Sequence, residues 1–355
     1  MKAKKLLALL LAVVMIFSLA ACGSKTPKTD PNATRIFTDS TGREVEVPAQ
    51  IDKVALSGPL AQIVLFALCP DKLVGVSNAW SSEAQEFLDE KYFNMPQIGQ
   101  LYGGKGELNL ETLLQSGAQV VIDVGESKGS IKEDMDSLQQ QTGIPFVHIS
   151  ADMQSYPQAY RMLGDLLGMK TEAEALATYC EKIYSRTETI ASGVEKANVL
   201  YVTGDMGQNV IAKGSYHAEI LDMLTNNLAQ VDEPSSKGTG NEVSMEQILT
   251  WNPDVVIFAP ESIYAAVKDD AAWQSVTAIK NGAYYEVPFG PYNWMGFPPS
   301  VQRYLGMVWL SKLLYPDATA DYDLFADVQE YYKLFYHCDI TRAQYDALVA
   351  NSIGK

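Results

Sequence analysis

The chain has few of the residues that metal sites and hydrolytic catalysis require. Its 355 residues include only 3 histidines, His148, His217 and His337, and none of them lies in an HxH or HxxxH pattern. A zinc or manganese site needs several imidazole and carboxylate ligands around one ion. This scarcity argues against a dedicated site for a bare metal ion, and no HExxH motif of a metalloprotease is present either.

Long apolar runs are also scarce, and the one at the amino terminus is short. Lysines within residues 1–5 precede an apolar run from Leu6 to Phe17, and small residues follow up to Cys22. A basic start, a short apolar core and small residues before a cleavage point are typical of a secretory signal. Because a membrane span needs about 20 apolar residues, residues 1–21 are predicted to be a leader that is removed.

The end of the leader and the segment after it indicate a membrane-anchored protein. The leader ends in Leu-Ala-Ala before Cys22, and this sequence resembles the bacterial lipobox, in which the cysteine is lipidated and becomes the first mature residue. The alternative is an ordinary secretory signal with an incidental cysteine. Residues 22–33 are rich in Ser, Thr, Lys and Pro, which predicts a flexible lipidated tether. The expected location is the extracytoplasmic face of the cell membrane.

Positive charge is in short supply. The formal net charge is −16, from 27 Lys and Arg against 43 Asp and Glu. Nucleic-acid binding relies on clustered Lys and Arg, so no nucleic-acid partner is expected, whereas a basic protein surface would be approached favourably. The other cysteines, Cys69, Cys180 and Cys338, are widely spaced without a CxxC pair, which leaves a disulfide between two of them open.

Strand and helix patterns alternate in two similar halves. This alternation predicts an α/β protein with two Rossmann-like lobes, each built on a parallel sheet. We place the N-terminal lobe at 34–152, a connecting helix interrupted near Gly168 at 153–196, and the C-terminal lobe with a helical tail at 197–355. The predicted strands are residues 53–56, 73–76, 120–123, 146–149, 198–202, 255–258 and 283–287.

An internal repeat supports the division into two lobes. Residues 109–122 and 244–257 share a polar residue, a Glu two positions later, and an apolar strand at the same spacing. The polar residues Asn109 and Ser244 are predicted to cap helices whose first turns contain Glu111 and Glu246. Two lobes of common ancestry follow from this agreement.

These features resemble the helical-hinge (class III) substrate-binding lipoproteins of ABC importers for ferric siderophores, haem and cobalamin. The resemblance rests on the hairpin at 38–48, the strand at 53–57 and the paired Glu elements, and it covers nearly all of the mature chain. It implies a monomeric receptor without enzymatic activity or a resident cofactor, working with a permease and an ATPase. It also implies an iron chelate or corrinoid as the ligand, held between the lobes, and docking of Glu111 and Glu246 on permease arginines.

Ligands of parallel sheets bind at the carboxyl ends of the strands, so the loops after the strands hold the candidate binding residues. The segment 288–299 stands out because it combines Pro and Gly with aromatic residues, which suits a large, partly flat ligand. The candidate ligand-binding residues are Ser57, Trp80, Tyr102, Lys105, Tyr216, His217, Tyr292, Trp294 and Arg303.

Two alternatives remain open. A receptor of the same fold for molybdate or tungstate would use convergent backbone N–H groups and Arg303, and a single His217 is compatible with a chelated metal. An extracellular hydrolase is less favoured: Asp123 and Asp205 follow strands, but no base is expected beside either of them. The identity of the ligand stays open at this point.

Overall fold

The computed structural model of the chain describes residues 33–102 and 107–353. The predictions for Cys22, for the leader and tether, and for Lys105 therefore lie outside the described residues. No helix in the described ranges is long and apolar enough to cross a bilayer.

The first lobe contains an antiparallel hairpin followed by a three-stranded sheet. The hairpin pairs β1 (Thr34–Thr38) with β2 (Glu44–Pro48). The sheet has the order β3 (Val54–Leu56), β4 (Val120–Gly125), β5 (Phe146–Ser150), and all of its strands are parallel. Every residue of β3 and β4 is buried, as expected for a parallel sheet covered on both faces.

One predicted strand of this lobe does not form. Residues 73–76 make only isolated bridges, from Leu73 to Val54 and from Val76 to Gln97. The segment thus pairs with one neighbour at Leu73 and with another at Val76, and it extends along neither. It also packs tightly against Ile98, since a Cβ on Gly75 would come within 2.6 Å of that side chain. The helices are α1 (Pro59–Leu68), α2 (Ser82–Gln85), α3 (Leu110–Ser116) and α4 (Ile131–Thr142), with 3-10 turns at Pro70–Lys72 and Glu90–Tyr92.

Two helices connect the lobes. They are α5 (Tyr156–Leu167) and α6 (Lys170–Gly193), and the break between them lies at Gly168, whose φ of 69° is left-handed. The interruption predicted near Gly168 is thereby confirmed. At 1.5 Å per residue, α6 is about 36 Å long, and it contacts helices of both lobes.

The sheet of the second lobe is mixed, which differs from the parallel sheet that we predicted. The strands are β6 (Asn198–Thr203), β7 (Asn209–Val210), β8 (Asn226–Asn227), β9 (Asn241–Glu242), β10 (Val255–Phe258) and β11 (Tyr284–Glu286). Their order in the sheet is β11-β10-β6-β7-β9, and β8 pairs with β6. β6, β8, β10 and β11 are parallel, whereas β7 pairs antiparallel with both β6 and β9. The chain reverses after β6 through Gly204 and Gly207, which have φ of 77° and 64°, and a tight reversal produces an antiparallel neighbour.

The tail of the chain braces the lobes against each other. Phe335 of the tail stacks on Tyr331 and packs edge-on against Tyr179, which lies on α6. Tyr332 packs edge-on against Phe87 of the first lobe at 5.2 Å. The helices of the second lobe and tail are α7 (Glu219–Leu224), α8 (Met245–Trp251), α9 (Thr277–Lys280), α10 (Arg303–Leu314), α11 (Leu324–Tyr331) and α12 (Arg342–Leu348), with 3-10 turns at Tyr216–Ala218, Ile263–Ala265 and Trp273–Ser275 and a π-turn at Tyr332–Tyr336.

The predicted repeat is present in three dimensions. α3 and α8 are both 7 residues long and lead to β4 and β10. The Asn109 side chain accepts a hydrogen bond from the Thr112 N–H at 3.0 Å, and Ser244 accepts one from the Gln247 N–H at 3.2 Å. Both predicted caps are confirmed, and each satisfies a backbone donor that the helix leaves unpaired.

The three cysteines in the described residues are free thiols. Cys69 and Cys180 are buried and Cys338 is half-buried. Burial raises the pKa of the Cys69 and Cys338 thiols to about 12. They therefore stay protonated at neutral pH and act as small apolar side chains.

The caps provide a test of the repeat. We expect Asn109→Ala and Ser244→Ala each to lower the free energy of unfolding by about 1 kcal/mol, because each leaves one helix N–H without its acceptor. Urea unfolding followed by circular dichroism measures this difference. Gln115→Ala, an exposed change on the same helix as Asn109, is the control and should change stability little. Equal stability of all three variants would show that the caps do not matter.

Candidate functional site

The carboxyl ends of the strands in the two lobes face a common cleft. Ser300 of the second lobe donates a hydrogen bond to the Leu60 carbonyl in the first turn of α1, at 3.3 Å. The Tyr216 hydroxyl reaches the Ala151 carbonyl, just after β5, at 2.8 Å. The predicted position of the ligand site, between the loops that follow the strands, is therefore where the two lobes contact each other.

The first wall of the cleft contains a buried hydrogen-bond network. Ser57, after β3, donates to one oxygen of Asp123, and the other Asp123 oxygen lies 2.6 Å from His148 Nδ1. His148 Nε2 is 2.9 Å from the Ser127 hydroxyl and 3.2 Å from that of Ser150. An ionised carboxylate only accepts hydrogen bonds, so Nδ1 donates to Asp123, and Nε2 faces the two serine hydroxyls. The network thereby orients the Ser57 and Ser127 hydroxyls at the edge of the cleft.

This network corrects the expectation that no base lies beside Asp123. The pairing register places Asp123 of β4 directly opposite His148 of β5, so the two side chains meet although they are 25 residues apart. Reading the motifs also missed the GxSxG match of residues 125–129, which centres on Ser127. The nucleophile elbow that carries such a serine is a sharp, strained turn. Among the described residues, positive φ outside glycine occurs only at Asn252, Glu261 and His337, so Ser127 does not have that strained backbone.

The amino end of α1 offers hydrogen-bond donors to the cleft. The helix starts with Pro59 after the buried Gly58, has no side-chain cap and has no acidic residue in its first turn. The first N–H groups of a helix have no partner inside the helix, and the helix dipole adds partial positive charge there. An anion is the ligand that such a helix end favours.

Arg303 lies at the lobe interface and is fully buried, with 0% of its surface exposed. Its Nη1 lies 2.5 Å from the Glu219 carboxylate and donates to the Tyr216 carbonyl at 2.9 Å. Burial opposes the charge, but Glu219 raises the pKa of the guanidinium overall. The Nε and Nη2 groups have no acceptor among the residues that the structure describes. Buried donors are normally satisfied, so these two N–H groups are the strongest sign of a ligand.

The residues around Arg303 are polar and partly unsatisfied too. The buried Ser215 hydroxyl and the Gln302 side-chain oxygen lack partners within the described ranges. The Arg303 guanidinium lies over the Tyr216 ring, 4.9 Å from its centroid. Burial raises the pKa of Tyr216, so its hydroxyl stays protonated and donates to the Ala151 carbonyl.

The loop at 288–299 packs its tryptophan inward, and a ligand contact of Trp294 stays a prediction. Trp294 is 0% exposed, and its indole N–H points to the Gly290 carbonyl at 3.4 Å. Tyr292 is half-buried against Gln62, 3.3 Å from its amide nitrogen. The aromatic side chain that the loop does expose is Phe297, at 58%. The loop packs its larger ring inward because an exposed indole would forfeit more buried apolar area.

Trp80 also packs in the core, and its contact with a ligand stays a prediction. Its indole N–H donates to the Tyr92 carbonyl at 2.9 Å, and its ring packs edge-on against Phe66 at 5.0 Å. Its ring centroid lies 6.4 Å from that of Tyr292 in the loop. Tyr102 is half-buried and donates to Asp134 at 2.6 Å, so its hydroxyl already has a partner.

His217 lies at the mouth of the cleft. Its Nδ1 is 3.5 Å from the Gly296 carbonyl, and a Cβ on Gly238 would approach both its ring and Phe297. Burial lowers the pKa of His217, so the imidazole is neutral at pH 7. No group of three or more His, Cys, Asp and Glu side chains in the described ranges is placed to hold a metal ion.

The two glutamates of the repeat are on the surface. Glu111 on α3 and Glu246 on α8 are both exposed, each in the first turn of its helix. Neither forms an ion pair within the described residues. Each lobe thus displays one exposed acidic side chain without an ion partner at an equivalent position; that of Glu111 accepts a hydrogen bond from Gln115 at 3.2 Å.

Comparison with known proteins agrees with this architecture. The family model described as periplasmic binding protein matches residues 54–290. The chain belongs to the periplasmic binding protein family. The match spans the sheets of both lobes and the connecting helices, and solved structures of two-lobed ABC receptors confirm the α/β fold class.

Individual relatives in the family are similar over most of their length. The molybdate-binding protein MolA of Haemophilus influenzae is 24% identical over 348 residues, covering 90% of this chain and 95% of MolA. An uncharacterized ABC transporter substrate-binding lipoprotein of Bacillus subtilis, YvrC, is 24% identical, covering 79% of this chain and 88% of that protein. An ABC transporter solute binding protein from Sulfurospirillum deleyianum superposes with a TM-score of 0.81 at 26% identity, covering 89% and 99% of the two chains.

These relationships fix the general role of this periplasmic binding protein. It is an extracytoplasmic substrate-binding protein of an ABC transporter, which works with a permease and an ATPase, and it is not an enzyme. The Asp123–His148–Ser127 network is therefore a feature of a binding cleft, where it holds hydroxyl groups in place.

The environment of His217 gives a pH prediction. We expect its imidazole to titrate below the usual pKa of about 6.5, because burial disfavours the charged form. The unfolded chain then binds a proton that the folded chain does not, so this residue's contribution to stability is complete above pH 6.5 and is lost as the pH falls below it. Nitrogen-15 NMR titration of the histidine side chains, with His217→Gln to assign the signal, measures the pKa. A value at or above 6.5 would contradict the burial.

Proposed function

We propose that this periplasmic binding protein captures a small oxyanion of the molybdate class between its lobes. The observation that carries the proposal is the buried Arg303, whose Nε and Nη2 groups have no acceptor in the described structure. The uncapped amino end of α1 supplies further donors from the opposite lobe. The similarity to MolA, whose name states that it binds molybdate, supports the same ligand class.

The charges around the site favour recognition by hydrogen bonds. Glu219 already neutralises Arg303, and the whole chain is acidic, with a formal net charge of −16. An oxyanion would therefore be held by directed N–H and O–H donors in a water-poor site, where each donor is worth more than in water. Tetrahedral anions that carry no proton at neutral pH satisfy such a set of donors without needing an acceptor from the protein.

The alternative ligand is an iron chelate or corrinoid, which the sequence favoured. Its strongest aromatic arguments weaken because Trp80 and Trp294 are in the core. One observation still favours it: the exposed Phe297 lies beside the neutral imidazole of His217. A large chelate would contact this mouth of the cleft, whereas a small oxyanion would bind further inside, at Arg303.

Calorimetry of the chain from Ser24 onward separates the two ligand classes. The panel holds molybdate, tungstate, sulfate, phosphate, a hydroxamate and a catecholate ferric siderophore, haem and cobalamin. We expect molybdate and tungstate to bind and Arg303→Lys to weaken them about 10- to 100-fold, because lysine keeps the charge but loses the two free donors. Arg342→Lys, at an exposed arginine paired with Asp346, is the matched control.

Other outcomes would change the assignment. Binding of a chelate or corrinoid that is weakened by Phe297→Ala and left unchanged by Arg303→Lys would replace the oxyanion with the larger ligand. Molybdate binding that Arg303→Lys leaves intact would remove Arg303 from the site. Thermal unfolding of each variant shows whether a loss of binding reflects a loss of folding.

We also propose that Cys22 carries a lipid that anchors the receptor outside the cell membrane. The Leu-Ala-Ala-Cys sequence and the lipoprotein name of the relative YvrC support this. Cys22→Ala should abolish incorporation of radioactive palmitate and release the protein from membranes in fractionated cells, because a single peptide tether without acyl chains has no membrane affinity. Cys338→Ala is the control, and label retained in Cys22→Ala would contradict the proposal.

The surface glutamates have a proposed role in docking to the permease. We infer that Glu111 and Glu246 meet basic residues of the permease, one per lobe. Their exposure, their lack of ion partners and their equivalent places in the repeat support this role. An exposed ion pair contributes only about 0–1 kcal/mol, so the glutamates would steer the encounter and set its register more than supply affinity.

A further inference from the structure

The helices that carry Glu111 and Glu246 have nearly the same burial pattern. In α3 and α8 the fourth residue, Leu113 or Ile248, is fully buried, whereas the fifth and sixth residues are exposed. The buried residue ties each helix to its sheet, so the pattern fixes which face of the helix is turned to solvent.

A leucine lies on that exposed face in both lobes. Leu114 on α3 is 52% exposed and Leu249 on α8 is 38% exposed. Each follows its glutamate by three positions, so acid and leucine are neighbours on one helix face. Only six large apolar side chains are prominently exposed in the described residues: Ile36, Leu114, Met206, Leu249, Phe297 and Ile353.

Folding does not require these two leucines on the surface. A single exposed leucine is ordinary, but here both repeats expose a leucine at the equivalent position although folding buries neither side chain. Among the residues that the structure describes, nothing covers either side chain, and each lies three positions after a carboxylate without an ion partner. A partner that buries both leucines would gain apolar contact at two points related by the internal repeat.

We propose that Leu114 and Leu249 are the apolar anchors of the permease interface, one on each lobe. This inference rests on the proposed docking of Glu111 and Glu246 and adds the contacts that give it affinity. The partner surface is a membrane permease with two matching sites, each an apolar pocket bordered by a basic side chain. The basic border is required because the carboxylate three residues before each leucine lacks an ion partner within the described chain.

The glutamate and the leucine of each lobe affect different steps of docking. The carboxylates act over a distance that salt screens, about 10 Å at 0.1 M ionic strength, and therefore affect the rate of encounter. The leucines act only on contact, when they leave water, and therefore affect how long the complex lasts. Loss of a leucine should thus weaken docking at any salt concentration, whereas loss of a glutamate should matter less as salt increases.

The test uses the permease–ATPase complex of the same transporter in lipid nanodiscs and the full mature receptor. ATP hydrolysis is measured against receptor concentration at low and high salt. We expect Leu114→Ser and Leu249→Ser each to raise the concentration for half-maximal stimulation about five- to tenfold at both salt levels. Glu111→Gln and Glu246→Gln should show their effect at low salt alone. Ile36→Ser, at another exposed apolar residue, is the matched control and should behave as the unmodified receptor.

Separate measurements distinguish this inference from the proposed ligand. Calorimetry with molybdate should give the same affinity for the leucine variants as for the unmodified receptor, because neither leucine belongs to the proposed ligand site around Arg303. Stimulation that is unchanged in both leucine variants, or equally reduced in Ile36→Ser, would overturn the anchor assignment. Failure of molybdate to bind, with docking still weakened by the leucine variants, would overturn only the ligand.

Discussion

A buried arginine determines how the two lobes meet. Removing a guanidinium from water is expensive unless charge and hydrogen bonds compensate for it, and Arg303 is fully buried. Glu219 of α7 supplies the opposite charge, and the same carboxylate accepts the Met153 N–H at the start of the connecting segment, at 3.3 Å. The Tyr216 carbonyl that Arg303 binds belongs to a residue whose hydroxyl holds Ala151 of the first lobe. The requirements of one charge thus link the loops on both sides of the cleft.

Local features of the fold were predictable because local residues determine them. The strand at 255–258, the long helix that begins after Gly168 and the caps Asn109 and Ser244 follow from periodicity and from capping chemistry. The burial of Trp294 and Trp80 was not predictable, for the opposite reason. A Pro-rich loop has no period to indicate which ring turns inward, and only the rest of the core decides that Trp294 is buried and Phe297 exposed.

The pairing of Asp123 with His148 could have been predicted from the positions of the two residues in their strands. Both residues lie near the carboxyl ends of predicted neighbouring strands, and parallel strands bring such ends to one edge of a sheet. A register in which β4 and β5 align therefore places the carboxylate beside the imidazole. The GxSxG match at Ser127 does not indicate a catalytic serine, because a motif has its chemistry only together with the backbone geometry that defines it.

The sheets connect ligand capture with docking. α3 leads directly to β4, which holds Asp123 in the cleft wall, and α8 leads to β10 in the second lobe. A buried strand of 4 to 6 residues is about 13–20 Å long and moves as a rigid unit with its lobe. Any change in the angle between the lobes that a ligand produces at Arg303 must then change the separation of the two docking faces. The stiff connection formed by α6 and the aromatic tail permits only small changes in this separation. A permease that binds Glu111 with Leu114 and Glu246 with Leu249 at the same time has two fixed contact points, and two fixed points respond to small changes of distance. Such a permease would therefore sense the separation of the lobes.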